Sequence, residues 1–173
     1  MGTVRGAVVL VLLAACGGAS ADRPLDVPLG LTRDRLIGEL RRLEYCPGHE
    51  PPSAREVYEK CHVPGVEQGQ SWVVAYFDGD RTVRLDRFER YPTDALTSER
   101  FNQLVEKRSA VAPPSEEARA AIAAQQELPA GTQTWVAFDG GDGTLVGVYM
   151  LTPRPPENAT ILEQVLSPRA RAP

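Results

Sequence analysis

Gln70-Ser71-Trp72-Val73-Val74-Ala75-Tyr76-Phe77-Asp78-Gly79-Asp80 and Gln133-Thr134-Trp135-Val136-Ala137-Phe138-Asp139-Gly140-Gly141 are two versions of one phrase. Each is a run of β-branched and aromatic residues that stops at an Asp-Gly turn, the pattern of a strand entering a hairpin. Asp and Gly supply the positive φ that tight hairpin turns require. Strands are therefore expected over residues 71–77 and 132–138, with return strands over 82–91 and 144–151.

The matching continues outward from this phrase. Gly30-Leu31-Thr32 pairs with Ala95-Leu96-Thr97, Pro51-Pro52-Ser53 with Pro113-Pro114-Ser115, and Pro92 with Pro153, all at a nearly constant offset. Ordered matches at one offset point to an internal duplication. Thr32 reads as a helix N-cap with Leu31 and Leu36 as its hydrophobic staple, and Leu96, Thr97 and Phe101 repeat the device. The first helix carries Leu36, Ile37, Leu40 and Leu43 on one face, and its counterpart carries Phe101, Leu104 and Val105. Ser53 with Glu56 matches a capping box, and Ser115 opens an Ala-rich stretch, so a second helix is expected in each copy. The expected fold is α+β. Two tandem helix-helix-β-hairpin repeats, residues 29–92 and 93–153, pack their helices on one face of an antiparallel sheet, and residues 154–173 form a Pro-rich flexible tail.

The N-terminus carries a different message. Arg5 is the only charge before Asp22, and the apolar run over residues 7–13 is far shorter than the roughly 20 residues of a membrane span. A charged start, a short apolar core and a small-residue exit mark a secretory signal. The exit, Leu13-Ala14-Ala15-Cys16 followed by Gly17-Gly18, resembles the lipobox of bacterial lipoproteins. That resemblance implies removal of residues 1–15, acylation (palmitate included) of Cys16, and a tether over residues 16–28. An ordinary signal peptide cut near Ala19 or Ala21 is the alternative. Gly17 stands where an Asp commonly retains such proteins at the inner membrane. The expected location is the cell envelope, at the outer membrane facing the periplasm if the cell is Gram-negative.

The 173 residues carry 19 basic and 23 acidic side chains, a net charge of −4, and loss of Arg5 makes this one unit more negative. No basic patch suggests nucleic acid. With Cys16 lipidated, Cys46 and Cys61 remain, and two cysteines in an exported chain form a disulfide more readily than a metal site. The rival reading is a metal-dependent or enzymatic module using Cys46, His49, Cys61 and His62. Cys61 and His62 are adjacent, however, and neighbouring side chains rarely converge on one ion.

The Gly-Leu-Thr helix entry, the Cys46–Cys61 pair and the strand pair that follows resemble the β-lactamase inhibitor protein, and the helix entry is also similar to that of the small BamE/SmpA-type outer-membrane lipoproteins. The second copy departs from the first in lacking a cysteine pair and in having Ala95 for Gly30. The resemblance implies two tandem units forming one curved sheet whose concave face grips a partner protein.

Catalytic chemistry is not legible. His62 has no convincing Ser or Cys nucleophile or oxyanion-type turn beside it. Asp78-Gly79-Asp80 and the residues 139–143 lack the oxygen ligands and closing Glu of a calcium loop and read as turns. Arg84, Arg87 and Arg90, alternating with Asp86 and Glu89, read as a solvated mixed-charge strand face. The expectation is a non-catalytic envelope lipoprotein with no cofactor, whose partners are membrane lipid, through acylated Cys16, and another envelope protein. Strand alternation puts Trp72 and Tyr76 on one face of the first hairpin and Trp135 on the corresponding face of the second. If the helices cover the phenylalanine side, these three aromatics form the binding surface. In the opposite register both tryptophans are core.

Overall fold

The aromatic-rich runs form hairpins where their Asp-Gly turns place them. The structure, a computed structural model, describes residues 23–48, 51–61, 70–152 and 159–168. In chain order its elements are α1 (Arg33–Arg42), β1 (Tyr45–Pro47), β2 (Arg55–Lys60), β3 (Gln70–Asp78), β4 (Arg81–Arg90), α2 (Asp94–Ser109), α3 (Glu116–Gln125), β5 (Thr132–Asp139), β6 (Leu145–Leu151) and β7 (Thr160–Leu166). β3 pairs with β4 across Gly79, whose φ is 59°. β5 pairs with β6 across a turn in which Gly141, Asp142 and Gly143 all have positive φ. All seven strands join one antiparallel sheet in the order β1-β2-β3-β4-β7-β6-β5.

α1 and α2 cover one face. Leu36, Leu40, Phe101 and Leu104 pack there with Val73, Ala75, Phe77, Leu85, Val148, Ile161 and Val165. Each buried Leu, Val, Ile or Phe side chain here stabilises by about 1.5–3 kcal/mol relative to exposure. Between α2 and α3 the chain crosses the β5 edge, where Ser115 N–H donates to Ala137 O at 2.9 Å and Pro114 bridges Phe138. α3 therefore lies on the other face, with Ala118 and Ile122 against Trp135, Ala137, Leu145, Tyr149, Leu162 and Leu166.

Several expectations are corrected here. The helices are not confined to one face, because β5, β6 and β7 are apolar on both sides and each side needs cover. The second helix expected after Ser53 is strand β2. Half of the capping box does form, as Glu56 Oε1 accepts Ser53 N–H at 3.1 Å. The same carboxylate also serves Arg33 and Tyr58, both at 2.7 Å, and the backbone of residues 55–59 pairs with β3 instead of coiling. Residues 160–166, expected in a flexible tail, form β7, which is buried throughout and lies between β4 and β6. The expected tether is also shortened, since Leu25 and Val27 belong to the core. Thr32 sits at the N-cap of α1 without a side-chain cap bond. α2 starts a turn earlier than expected, capped by Thr93 rather than Thr97, whereas Ser115 caps α3 as its sequence indicates.

The mixed-charge reading of β4 is corrected as well. Asp86, Arg87 and Glu89 are buried, not solvated. Arg87 pairs with Glu163 and Glu89, Arg100 with Glu89, and Arg108 bridges Glu163 to Asp26. This network lies on the α1–α2 side of the sheet and joins neighbouring groups of β4 to Arg100, Arg108 and Glu163 from later in the chain.

Candidate protein-binding face

β3 sends Val73, Ala75 and Phe77 toward α1 and α2, so Trp72, Val74 and Tyr76 point the other way. Cross-strand register adds Arg55, Val57 and Glu59 from β2, and Arg84, Asp86, Phe88 and Arg90 from β4. Trp72 stacks on Phe88 with ring centroids 5.2 Å apart and planes 11° from parallel. The Arg90 guanidinium stands 5.0 Å from the Trp72 ring, and that of Arg84 4.7 Å from Tyr76. Cation–π contacts of this kind hold flat aromatic surfaces in place at modest cost.

α3 covers the β5-β6-β7 part of this face; at β4, Phe88 packs against the same cluster and Gln126, the C-cap of α3, accepts from Arg84 through Oε1 at 3.0 Å. Arg84 also grips Asp86 with a two-pronged contact at 2.8 and 2.6 Å. Burial works against the Arg84 charge, but the Asp86 carboxylate outweighs it and raises the pKa. Among the described residues, no helix lies over Val57, Trp72 and Tyr76, which remain half-buried.

Of the three aromatics chosen from sequence, Trp72 and Tyr76 share this uncovered area and Trp135 does not. Trp135 is 8% exposed. It is stacked on Tyr149 at 5.3 Å with Arg119 of α3 at 4.7 Å on its ring. Its strand face is the one expected, but α3 closes over it. Sequence reasoning missed Phe88, Arg84 and Arg90 as members of the face. The signal was present in their alternation along β4 and in the hairpin register that sets Phe88 opposite Trp72.

Cys46 and Cys61 form a disulfide. It ties the three-residue edge strand β1 to the end of β2 and consumes both thiols, which removes them from the metal-ligand set considered above. Cys16, His49 and His62 lie outside the described residues. Among the described residues no group of three or more His, Cys, Asp or Glu is placed to hold a metal, and no helix is long and apolar enough to cross a membrane. A cleft of about 520 Å³ opens at the end of the sheet beside Asp26, Arg81, Arg108 and the 140–144 turn. Its guanidinium groups are already engaged, Arg81 with Gly30 O and Arg108 with Glu163, Asp26 and Leu25 O. A second cleft of about 430 Å³ lies between α1 and β2, and its central carboxylate, Glu56, is engaged by Arg33, Tyr58 and Ser53. The aromatic and arginine face of β2-β3-β4 is therefore the best candidate site. No protein-family model, no curated protein and no solved structure matches this chain.

Proposed function

We propose that this is a non-catalytic cell-envelope lipoprotein that binds another protein through the uncovered part of its sheet. The observation that carries the reading is the β2-β3-β4 area, where Trp72 and Tyr76, ordered by stacking on Phe88 and by arginine contacts, have no helix over them among the described residues. Partly exposed aromatic area of this kind marks interfaces, and Trp and Tyr are favoured anchor residues. Tandem duplication, as in the β-lactamase inhibitor protein, is part of the proposal. It is supported by the sheet order, in which each half of the chain runs its strands inward from one edge until β4 meets β7. Lipid attachment at Cys16 would hold the module at the envelope.

The test places a photo-crosslinking residue at Val57, on the face, and at Asn102, on exposed α2 surface. A defined protein adduct from position 57 that disappears with Trp72→Ala, and is absent from position 102, is expected. Equal adducts from both positions, or insensitivity to Trp72→Ala, would sink the binding face. Anchoring is checked separately with Cys16→Ala, which should move the chain from the membrane pellet to the soluble fraction. Retention in the pellet against salt would place the anchor elsewhere.

A further inference from the structure

α3 forms half of a helical layer on the candidate face, and the other half is empty among the described residues. β2, β3 and β4 lie side by side over about 10 Å, which is the diameter of one helix with its side chains, about 10 Å. The floor of that space presents the half-buried Val57, Trp72 and Phe88 around Val74 and Asp86, which are themselves buried. At its ends are two exposed arginines, Arg55 beside Tyr76 and Arg90 beside Trp72. Neither has a carboxylate partner among the described residues, whereas Arg84 is held by Asp86. The face also carries one exposed carboxylate, Glu59, opposite Trp72. Along the strands the two arginine ends are about 20 Å apart, a distance spanned by about 13 residues of helix.

Resting on the binding reading above, we infer that the partner segment is an amphipathic helix that lies beside α3 and completes its layer, with an apolar stripe on Val57, Trp72 and Phe88 and carboxylates at both ends meeting Arg55 and Arg90. An apolar helix face in an open groove is anchored by residues at i, i+3, i+4 and i+7. The end charges set register and exclude basic segments, the role complementary charges play at interface rims.

The test uses a library of random peptides of about 16 residues, roughly 24 Å as a helix, displayed on yeast. It is selected on the full chain and counter-selected on the Trp72→Ala chain. Enriched peptides should show helical apolar spacing with Asp or Glu near both ends. Their binding should weaken at least about tenfold in the Arg55→Glu, Arg90→Glu double variant, with its melting temperature unchanged. Strand-like alternation, basic ends, or no Trp72-dependent peptide at all would overturn the inference. The crosslinking experiment separates the two levels. A Trp72-dependent adduct from position 57 without acidic helical peptides leaves the face standing and removes the helical partner, and failure of both removes both.

Discussion

Arg87 of β4 and Glu163 of β7 are directly opposite each other in the centre of the sheet, with side chains 2% and 0% exposed. The pair lies in the middle of the β4–β7 ladder, where the strands of the two halves of the chain meet among the described residues. Glu163 also accepts Leu25 N–H at 3.0 Å and Arg108 Nη2 at 2.7 Å, so one carboxylate fastens the N-terminal segment, β4, β7 and α2 together. Burial works against the Arg87 charge, but Glu163 and Glu89 outweigh it and raise the pKa. Removing the carboxylate leaves a buried cation with lost partners. Glu163→Ala should destabilise by roughly 3–5 kcal/mol in urea unfolding. Asp80→Ala, which breaks the exposed Arg33 contact, should cost far less. Similar midpoints for the two variants would refute the central role of the pair.

Acid should weaken the same network. Burial raises the Glu89 pKa, but the charge of Arg87 and the hydrogen bonds from Arg100 and Tyr91 outweigh this and hold it below its usual value. A carboxylate depressed in the folded state contributes stability above its unfolded pKa, about 4.3. That contribution is lost as pH falls through the lower folded value. The melting temperature is expected to be flat from neutral pH to about 5 and to drop below about 4. Glu89→Gln should reduce the slope of that drop, and an unchanged slope would remove Glu89 as its source.

Trp72 and Trp135 should behave differently on truncation. Trp135→Ala empties a site closed by α3, Tyr149 and Ile122, and should cost roughly 3–5 kcal/mol. Trp72→Ala should cost clearly less and abolish the position-57 adduct. Equal destabilisation by both changes would make Trp72 a core residue and not an interface residue.

Gly147 is a sharp steric test of the α3 side of the sheet. A Cβ there would lie 2.5 Å from Cε2 of Tyr149, whose ring is fully buried and cannot swing into solvent. Gly147→Ala should lower stability by about 1–3 kcal/mol, and Gly147→Ala with Tyr149→Leu should recover much of it. No effect from the single change would show that Tyr149 does not cover Gly147.

The Cys46–Cys61 bond closes a separation of 15 residues. Alkylation of protein isolated without reductant should leave both cysteines unlabelled. Reduction should then lower stability by about 3 kcal/mol on the chain-entropy expectation. Full labelling before reduction would contradict the bond.

What the sequence determined by itself was local. The Asp-Gly turns, the alternation in 71–77 and 132–138, the apolar spacing of α1 and α2 and the Ser115 cap are each encoded within a few neighbouring residues, and the cysteine pair needs only an oxidising compartment. What the tertiary structure decided was non-local. The same Ser53–Glu56 contact that would open a helix instead precedes a strand, because β3 offers that stretch a ladder and Arg33 claims the carboxylate. β7 carries Glu163 and Gln164 in its middle, and it can be buried only because Arg87, Arg108, Asp86 and Tyr149 arrive from other segments to pair with them. Trp72 and Trp135 occupy equivalent places in their strands. Among the described residues, one has no helix over it and the other is core, because the chain crosses the β5 edge at Pro114 and lays α3 over only half of the face. Periodicity fixes which face a side chain joins, but burial depends on which element later packs there, and that choice is made between residues far apart in the chain.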